Sequence, residues 1–236
     1  MKLEKLKTAA AEMGIALSAA QLNQFEIYFA ELTDWNRRMN LTRIIERDDV
    51  IAKHFLDSLT CLRAVPKLPA RVIDVGTGAG FPGVVLKIVQ PDIQLTLVES
   101  VGKKTDFLRH LTETLALKNV TVLHARAEDA GRLPAHREKY GLAVARAVAP
   151  MRVLAEYLLP LVKIGGLMLA QKGADPAAEV AAARNAFGIL GGKHIQTLAV
   201  SVPNLDAARH LALVRKTKPT PKQYPRRAGM PGRKPI

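Results

Sequence analysis

The chain has very little cysteine and no long unbroken run of apolar residues. Cys61 is the only cysteine among 236 residues, so no intramolecular disulfide can form, which fits a reducing, cytoplasmic compartment. Its apolar helical surroundings favour a buried thiol over a nucleophile. Charged residues and a proline interrupt the longest apolar stretch, residues 153–170, which argues against a membrane span. The N-terminus carries Glu4 and Glu12 and has no long apolar run, so we expect no signal peptide.

Acidic residues are scarce relative to basic ones. The chain has 35 Lys and Arg against 21 Asp and Glu, a formal net charge of +14 and a pI near 10.1. Such a charge indicates a polyanionic partner, with nucleic acid first and an anionic membrane surface second; a merely basic soluble protein is the alternative. The 48% of hydrophobic residues are enough for a sizeable core.

Two periodicities divide most of the chain. Residues 1–66 repeat apolar positions at helical spacing, and Ser18 with Gln21 forms a capping-box pattern, so we predict a helical N-terminal extension that includes a helix over Asp49–Leu62. Residues 67–216 alternate short apolar runs with helical segments, which predicts an α/β fold with a mostly parallel, seven-stranded sheet and a final antiparallel hairpin. The predicted strands are Arg71–Val75, Gln94–Glu99, Val120–His124, Leu142–Arg146, Leu167–Gln171, His194–Val200 and His210–Arg215.

The end of the chain has a different composition. Residues 215–236 hold eight Lys or Arg, five Pro and no acid. Because proline lacks an N–H and fixes φ, we predict that this stretch forms neither a helix nor a central strand. Residues 217–236 should be an extended or mobile basic arm that binds nucleic-acid phosphates, and a solvated tail is the alternative. The candidate contacts are Lys222, Tyr224, Arg226, Arg227, Arg233 and Lys234, with Lys172 at a strand end.

The stretch Val72–Gly83, VIDVGTGAGFPG, carries most of the recognisable chemistry. Glycines at a turn after a strand let backbone amides approach a nucleotide-like ligand, and an ordinary strand-to-helix turn is the alternative. The stretch satisfies the dinucleotide fingerprint, which is weak alone. It also resembles motif I of S-adenosylmethionine-dependent methyltransferases, with Asp74 ahead of Gly76, Gly78 and Gly80. A carboxylate there suits a cationic ligand and would repel a pyrophosphate, which favours the sulfonium cofactor.

Further candidates lie at the ends of later predicted strands. Glu99 could accept two hydrogen bonds from ribose hydroxyls, or it could be a helix N-terminal acid. Glu128 could meet an adenine amino group, or it could cap a helix. Arg146 could bind a cofactor carboxylate or an RNA phosphate, or form a structural salt bridge. For His54 and Asp57 structural contacts are favoured over catalysis.

From Trp35 to the C-terminus the chain resembles the ribosomal RNA small-subunit methyltransferase G family, also called glucose-inhibited division protein B. The motifs that carry the resemblance are Trp35-Asn36, Asn40-Leu41-Thr42, His54–Leu59, Asp74–Gly83, Lys103-Lys104, Arg146-Ala147, Lys172-Gly173, Tyr224–Arg227 and Gly229–Pro231. The resemblance implies a Rossmann-like class I methyltransferase fold, S-adenosylmethionine as cofactor, and N7 methylation of one guanosine in bacterial 16S rRNA. Carried over by motif, the residues expected at the cofactor are Gly76, Phe81, Ala127, Glu128 and Arg146.

Guanine N7 is an unprotonated lone pair, so methyl transfer to it needs no general base. The sequence offers no convincing base, and we expect catalysis by positioning. The segment Asp129–Ala145 is longer and more charged than the family pattern. We expect no metal, a monomer, and free 16S rRNA or a small-subunit assembly intermediate as substrate. A nucleotide-dependent oxidoreductase and a non-catalytic RNA-binding assembly factor are the alternative functions.

Overall fold

The computed structural model describes residues 3–173 and 176–236. The strands are β1 (Arg71–Val75), β2 (Gln94–Glu99), β3 (Val120–His124), β4 (Tyr140–Arg146), β5 (Val162–Lys172), β6 (Gly192–Val202) and β7 (Leu205–Lys216). The helices are α1 (Glu4–Glu12), α2 (Ala19–Arg38), α3 (Arg47–Val50), α4 (Asp57–Leu59), α5 (Cys61–Ala64), α6 (Gly83–Val89), α7 (Gly102–Thr114), α8 (Ala127–Arg132), α9 (Met151–Leu158), α10 (Ala177–Ala182), α11 (Arg184–Ile189) and α12 (Met230–Arg233).

The strands form one sheet in the order β3-β2-β1-β4-β5-β7-β6. Strands β1 to β5 pair in parallel, and β7 runs antiparallel to both β5 and β6. This confirms the predicted seven-stranded, mostly parallel sheet and its terminal hairpin. The strand order reverses between β1 and β4, and in open α/β sheets ligands bind outside the carboxyl ends of the strands at such a point.

Each face of the sheet is covered by helices, because side chains alternate along a strand. On one face, Val72 of β1 and Leu97 of β2 lie in a core with buried side chains of α1, α2, α6 and α7. On the other face, Ile73 and Val98 lie in a core with α9 and α11. The helices of residues 1–66 therefore pack directly on the sheet.

The N-terminal helices follow the sequence pattern with one local difference. Ser18 Oγ accepts from Gln21 N, and Gln21 Oε1 accepts from Ser18 N, which confirms the predicted capping box. The helix expected over Asp49–Leu62 runs from α3 to α5, but Ile51–Leu56 form a π-helical turn. Such turns are frequent at functional sites, and this one carries His54.

The prediction that residues 215–236 form neither a helix nor a central strand was wrong. Arg215 and Lys216 pair within β7, a central strand, since the first proline comes only at position 219. Residues 217–236, hereafter the C-terminal segment, pack on the core, where Thr220, Pro225 and Pro231 are buried. Proline is tolerated in the first turn of a helix, so the short helix α12 forms as well. The segment is an ordered part of the molecule.

Candidate active site

The glycine turn after β1 has a backbone conformation that would be strained in a residue with a Cβ atom. Gly76, Gly78 and Gly80 have φ of +70°, +60° and +100°, a region that glycine enters without steric cost. A Cβ on Gly76 would lie 2.7 Å from Val148 Cγ2, and one on Gly80 would lie 2.6 Å from Tyr28 Oη. The turn therefore needs glycine both for its conformation and for the close approach of its neighbours.

Asp74 lies beneath this turn, at the end of β1. Its carboxylate is fully buried, and Oδ2 accepts from Thr77 Oγ1 at 2.6 Å and from Gly83 N at 2.8 Å. Burial raises the pKa of Asp74 to about 6, although the hydrogen bonds from Thr77 and Gly83 oppose the shift. Asp74 thus fixes the shape of the turn with Oδ2, whereas Oδ1 is buried without a hydrogen-bond partner among the described residues, and the predicted ligand contact stays a prediction.

A cavity of about 190 Å³, hereafter the first cavity, opens at the carboxyl ends of β1, β2 and β3. It is lined by Val75, Gly76, Val98, Ser100, Ala125, Arg126, Ala127, Glu128, Val148 and Tyr157. Apolar walls with a few polar groups are typical of small-molecule sites. With Glu128 and Tyr157 as polar groups among apolar walls, the residues of this cavity fit the adenosine part of S-adenosylmethionine.

Glu99, at the end of β2, is already engaged by backbone donors. Its Oε2 accepts from Gly78 N at 3.0 Å, and its Oε1 accepts from the amides of Ser100 and Val101 at 2.7 and 2.9 Å. A carboxylate has about four lone-pair sites, so about one remains for a ribose hydroxyl. The predicted pair of ribose hydrogen bonds therefore requires the turn to release Gly78.

Glu128 lines the first cavity from α8, as the family motif implied, but it also serves a second purpose. Its side chain is buried, and Oε1 accepts from the backbone N–H of Gly229 in the C-terminal segment at 2.8 Å. One carboxylate oxygen is thus used within the protein.

Phe81 and Arg146 lie away from the first cavity, in an aromatic cluster behind the turn. The Phe81 ring stacks between Tyr28 and His54, with centroid separations of 5.1 and 4.4 Å, and the Arg146 guanidinium lies 5.1 Å from its centroid. Arg146 donates to Asp57 Oδ2 at 2.8 Å, with its side chain 14% exposed. Arg146 therefore makes the structural salt bridge that the sequence offered as one alternative, and its binding of a cofactor carboxylate or an RNA phosphate stays a prediction.

His54 has polar neighbours at both ring nitrogens. Nδ1 lies 3.1 Å from the Lys53 carbonyl oxygen and 3.2 Å from Arg146 Nη2, and Nε2 lies 2.9 Å from Thr42 Oγ1. Burial, with the nearby charge of Arg146, lowers the pKa of His54 to about 3. Both ring nitrogens of His54 are thus in contact with polar groups of the protein.

A second cavity, of about 370 Å³, lies at the carboxyl ends of β4 and β5. Four cationic side chains line it, namely Lys53, Arg146, Lys172 and Arg209, together with Ile44, His54, Asp57, Ala147, Gln171 and Gly173. Ala147 lines this cavity and the next residue, Val148, lines the first one. The two cavities therefore adjoin at the loop after β4.

Comparison with known proteins places this geometry in a family. The model of the rRNA small subunit methyltransferase G family (GidB) matches residues 21–211. The chain belongs to this family. Proteins called ribosomal RNA small subunit methyltransferase G from Roseiflexus sp. and Halalkalibacterium halodurans are 48% and 45% identical; the alignments cover 99% and 100% of this chain and 100% of each relative.

The same fold recurs in distant solved structures. The YcgJ protein from Bacillus subtilis matches with a TM-score of 0.52 at 16% identity over 68% of this chain and 98% of its own. A variant of the 16S rRNA (adenine(1408)-N(1))-methyltransferase from Catenulisporales acidiphilia matches with a TM-score of 0.53 at 13% identity over 70% of this chain and 93% of its own. Family membership confirms the methyltransferase class and the S-adenosylmethionine cofactor over an oxidoreductase or a non-catalytic factor.

Two residues of the family's basic tail motif make contacts within the protein. Arg226 forms an ion pair with the fully buried Glu156, with Nη2 and Oε2 2.6 Å apart, and Tyr224 packs against the core. Both are thereby occupied within the protein, whereas the other four nucleic-acid candidates of the segment are exposed: Lys222, Arg227, Arg233 and Lys234. Lys172 donates to Glu179 Oε2 at 2.6 Å at the edge of the second cavity.

Sequence reasoning missed several residues of both cavities. Tyr157 and Val148 line the first cavity from α9 and from the loop before it, and Lys53 and Arg209 line the second. Arg209 lies in the hairpin strand β7, where nothing in the local pattern marks it. The charged residues Arg137 and Glu138, noted as a departure from the family pattern, bind backbone groups of the C-terminal segment.

The described residues hold neither a metal-binding cluster nor a membrane-spanning helix. Within residues 3–173 and 176–236 no group of three or more His, Cys, Asp or Glu side chains is arranged to hold a metal ion. Over the same ranges no helix has both the length and the apolar character needed to span a membrane.

Proposed function

We propose that the protein transfers the methyl group of S-adenosylmethionine to N7 of a guanosine in 16S rRNA of the bacterial small ribosomal subunit. The cofactor occupies the first cavity and the target base enters the second. One observation carries this proposal: two consecutive residues of the loop after β4 line the two cavities, Val148 the first and Ala147 the second. A donor and an acceptor bound there would lie close together, as an in-line displacement requires.

The residues around the second cavity support a reaction without proton transfer. S-adenosylmethionine supplies a methyl group on a positively charged sulfonium, and that charge passes to the base, so the net charge of the site does not change. His54 is neutral and both its ring nitrogens are engaged. The chain's task is then to orient the base and exclude water.

The cationic lining of the second cavity supports RNA as the substrate. Asp57 holds Arg146 and Arg209 at its two oxygens, each at 2.8 Å, so both guanidiniums are fixed in place. Lys53 and Lys172 add further positive charge at the cavity. Such groups bind the phosphates that flank a nucleotide, and phosphate contacts fix the position of the RNA.

The test is methyl transfer to rRNA that lacks the modification. The protein is incubated with this rRNA and labelled S-adenosylmethionine, and the label is mapped by N7-specific strand scission. We expect label at one guanine N7, suppressed by excess S-adenosylhomocysteine. Label at a base carbon or a ribose hydroxyl would contradict the N7 assignment alone. RNA binding without transfer at saturating cofactor would contradict the enzymatic proposal.

The setting of the reaction is a further part of this proposal. We expect a monomer in the cytoplasm that acts on rRNA of the small subunit, either free or in an assembly intermediate. Comparing free 16S rRNA, assembly intermediates and complete 30S particles as substrates, with sedimentation of the protein alone, tests these expectations.

A further inference from the structure

The C-terminal segment contacts the two helices that flank the first cavity, starting with α8. Pro225 packs on Gly131, where a Cβ would lie 2.9 Å from Pro225 Cγ. Arg132 Nε donates to the Pro225 carbonyl at 3.0 Å, and Gly229 N donates to Glu128 Oε1 at 2.8 Å. The segment is thus fixed to α8 by packing and by two hydrogen bonds.

The same segment is bound to α9. The guanidinium and the backbone N–H of Arg226 both donate to the carboxylate of Glu156, which is fully buried. Arg152 donates to the carbonyls of Pro235 and Ile236 near the chain end. A hydrogen bond to a charged group is worth more than one between neutral groups, so the contact with Glu156 is the main attachment to α9.

Both helices contribute side chains to the first cavity. Glu128 lines it from α8, and Tyr157, the neighbour of Glu156, lines it from α9. The segment therefore bridges two walls of one cavity without lining the cavity itself.

We propose that residues 229–232 position Glu128 for the adenine of the cofactor, and that the C-terminal segment holds α8 and α9 at the spacing which the adenosine requires. This inference rests on the proposed cofactor site in the first cavity. It assigns the segment a role in cofactor affinity, in addition to the RNA contacts expected from its charge. Gly229 acts through Glu128 and is a positioning residue.

Two truncations separate this role from the effect of charge. A chain ending at Ala228 lacks the N–H of Gly229, whereas a chain ending at Gly232 keeps it. Both lose Arg233 and Lys234 and both lose the carbonyls that bind Arg152. Any change in RNA affinity that comes from lost charge is therefore equal in the two variants.

The measurement is S-adenosylhomocysteine binding by calorimetry, with thermal unfolding as the check on folding. We expect the chain ending at Ala228 to bind about tenfold more weakly than the full chain, as loss of one hydrogen bond to a charged group predicts, while the chain ending at Gly232 binds normally. In turnover, the KM for S-adenosylmethionine should rise in the shorter chain only, with the KM for RNA equal in both.

A full-length variant keeps the test decisive if the shorter chain does not fold. Glu156→Gln preserves the shape of the side chain but removes the buried charge that Arg226 binds, and Glu156 does not line the cavity. We expect S-adenosylhomocysteine to bind this variant several-fold more weakly. Normal binding by Glu156→Gln and by each folded truncation would overturn the inference. Absence of binding by the full chain would instead overturn the proposed function.

Discussion

At the scale of single residues, one carboxylate organises the second cavity. Asp57 lies on the helical run that carries the π turn, its side chain is 5% exposed, and each oxygen accepts from a different arginine. Without that charge, the guanidiniums of Arg146 and Arg209 would repel each other across a partly buried site. The sequence predicted a structural use for Asp57, but not that the use would be to hold two cavity-lining cations.

Replacing Asp57 should therefore cost far more than replacing an exposed partner of the same type. We expect Asp57→Asn to lower the free energy of unfolding by about 3 kcal/mol, since it leaves buried charge uncompensated. Asp49→Asn is the matched control: Asp49 pairs with Lys53 on the same helical run, with side chains 46% and 36% exposed, and should lose less than ~1 kcal/mol. Urea denaturation measures both, and equal losses would contradict this account of the network.

At the scale of elements, the sequence predicted strands well where local pattern decides. The bounds of β1, β2 and β3 match the predicted ones residue for residue, because each is a short apolar run between turns. The later strands extend beyond their predicted apolar centres, since Val162 of β5 pairs with Tyr140, and Arg209 and Leu205 of β7 pair with Val200 and Val202. Pairing of this kind is a tertiary effect that local pattern does not encode.

In the candidate site, too, local pattern predicted some residues, whereas the placement of others depends on tertiary contacts. Gly76, Ala127 and Glu128 were predicted from motifs and line the first cavity, because each lies at the end of a strand or at the start of the next helix. The placement of Arg146 and of the C-terminal segment depends on partners far away in sequence, Asp57 and Glu156. No local signal identifies such partners.

The glycine turn gives a prediction at this scale. Gly80→Ala places a Cβ 2.6 Å from Tyr28 Oη and 2.8 Å from Val84 Cγ2 at φ +100°, so we expect a loss of about 3 kcal/mol in unfolding free energy. Gly78→Ala also has a positive φ, +60°, but its Cβ meets nothing within 4 Å and should cost about 1 kcal/mol. Thermal and urea unfolding distinguish the two. Similar costs would mean that the backbone conformation alone, without the close approach of Tyr28, requires glycine here.

At the scale of the whole molecule, the placement of charge matters more than its amount. The net charge of +14 attracts RNA from any direction, but both cavities open at the carboxyl edge of the parallel strands. The exposed Lys222 and Arg227 lie in the C-terminal segment, which packs on α8 and α9 beside the first cavity. The exposed Lys67 and Lys118 precede β1 and β3, at the opposite edge of the sheet.

Two double variants of equal charge should therefore differ in RNA binding. Lys222→Gln with Arg227→Gln and Lys67→Gln with Lys118→Gln each remove two exposed positive charges. Each phosphate contact contributes about 0.7 to the slope of log affinity against log salt for single-stranded RNA. We expect the first pair to reduce this slope by about 1.4 and the second to leave it nearly unchanged. Filter binding to unmodified 16S rRNA over a salt series measures the slope, with S-adenosylhomocysteine affinity as the folding control. If the two pairs reduce the slope equally, RNA binding depends on the net charge of the molecule. The C-terminal segment then contributes no more to RNA binding than the opposite edge of the sheet does.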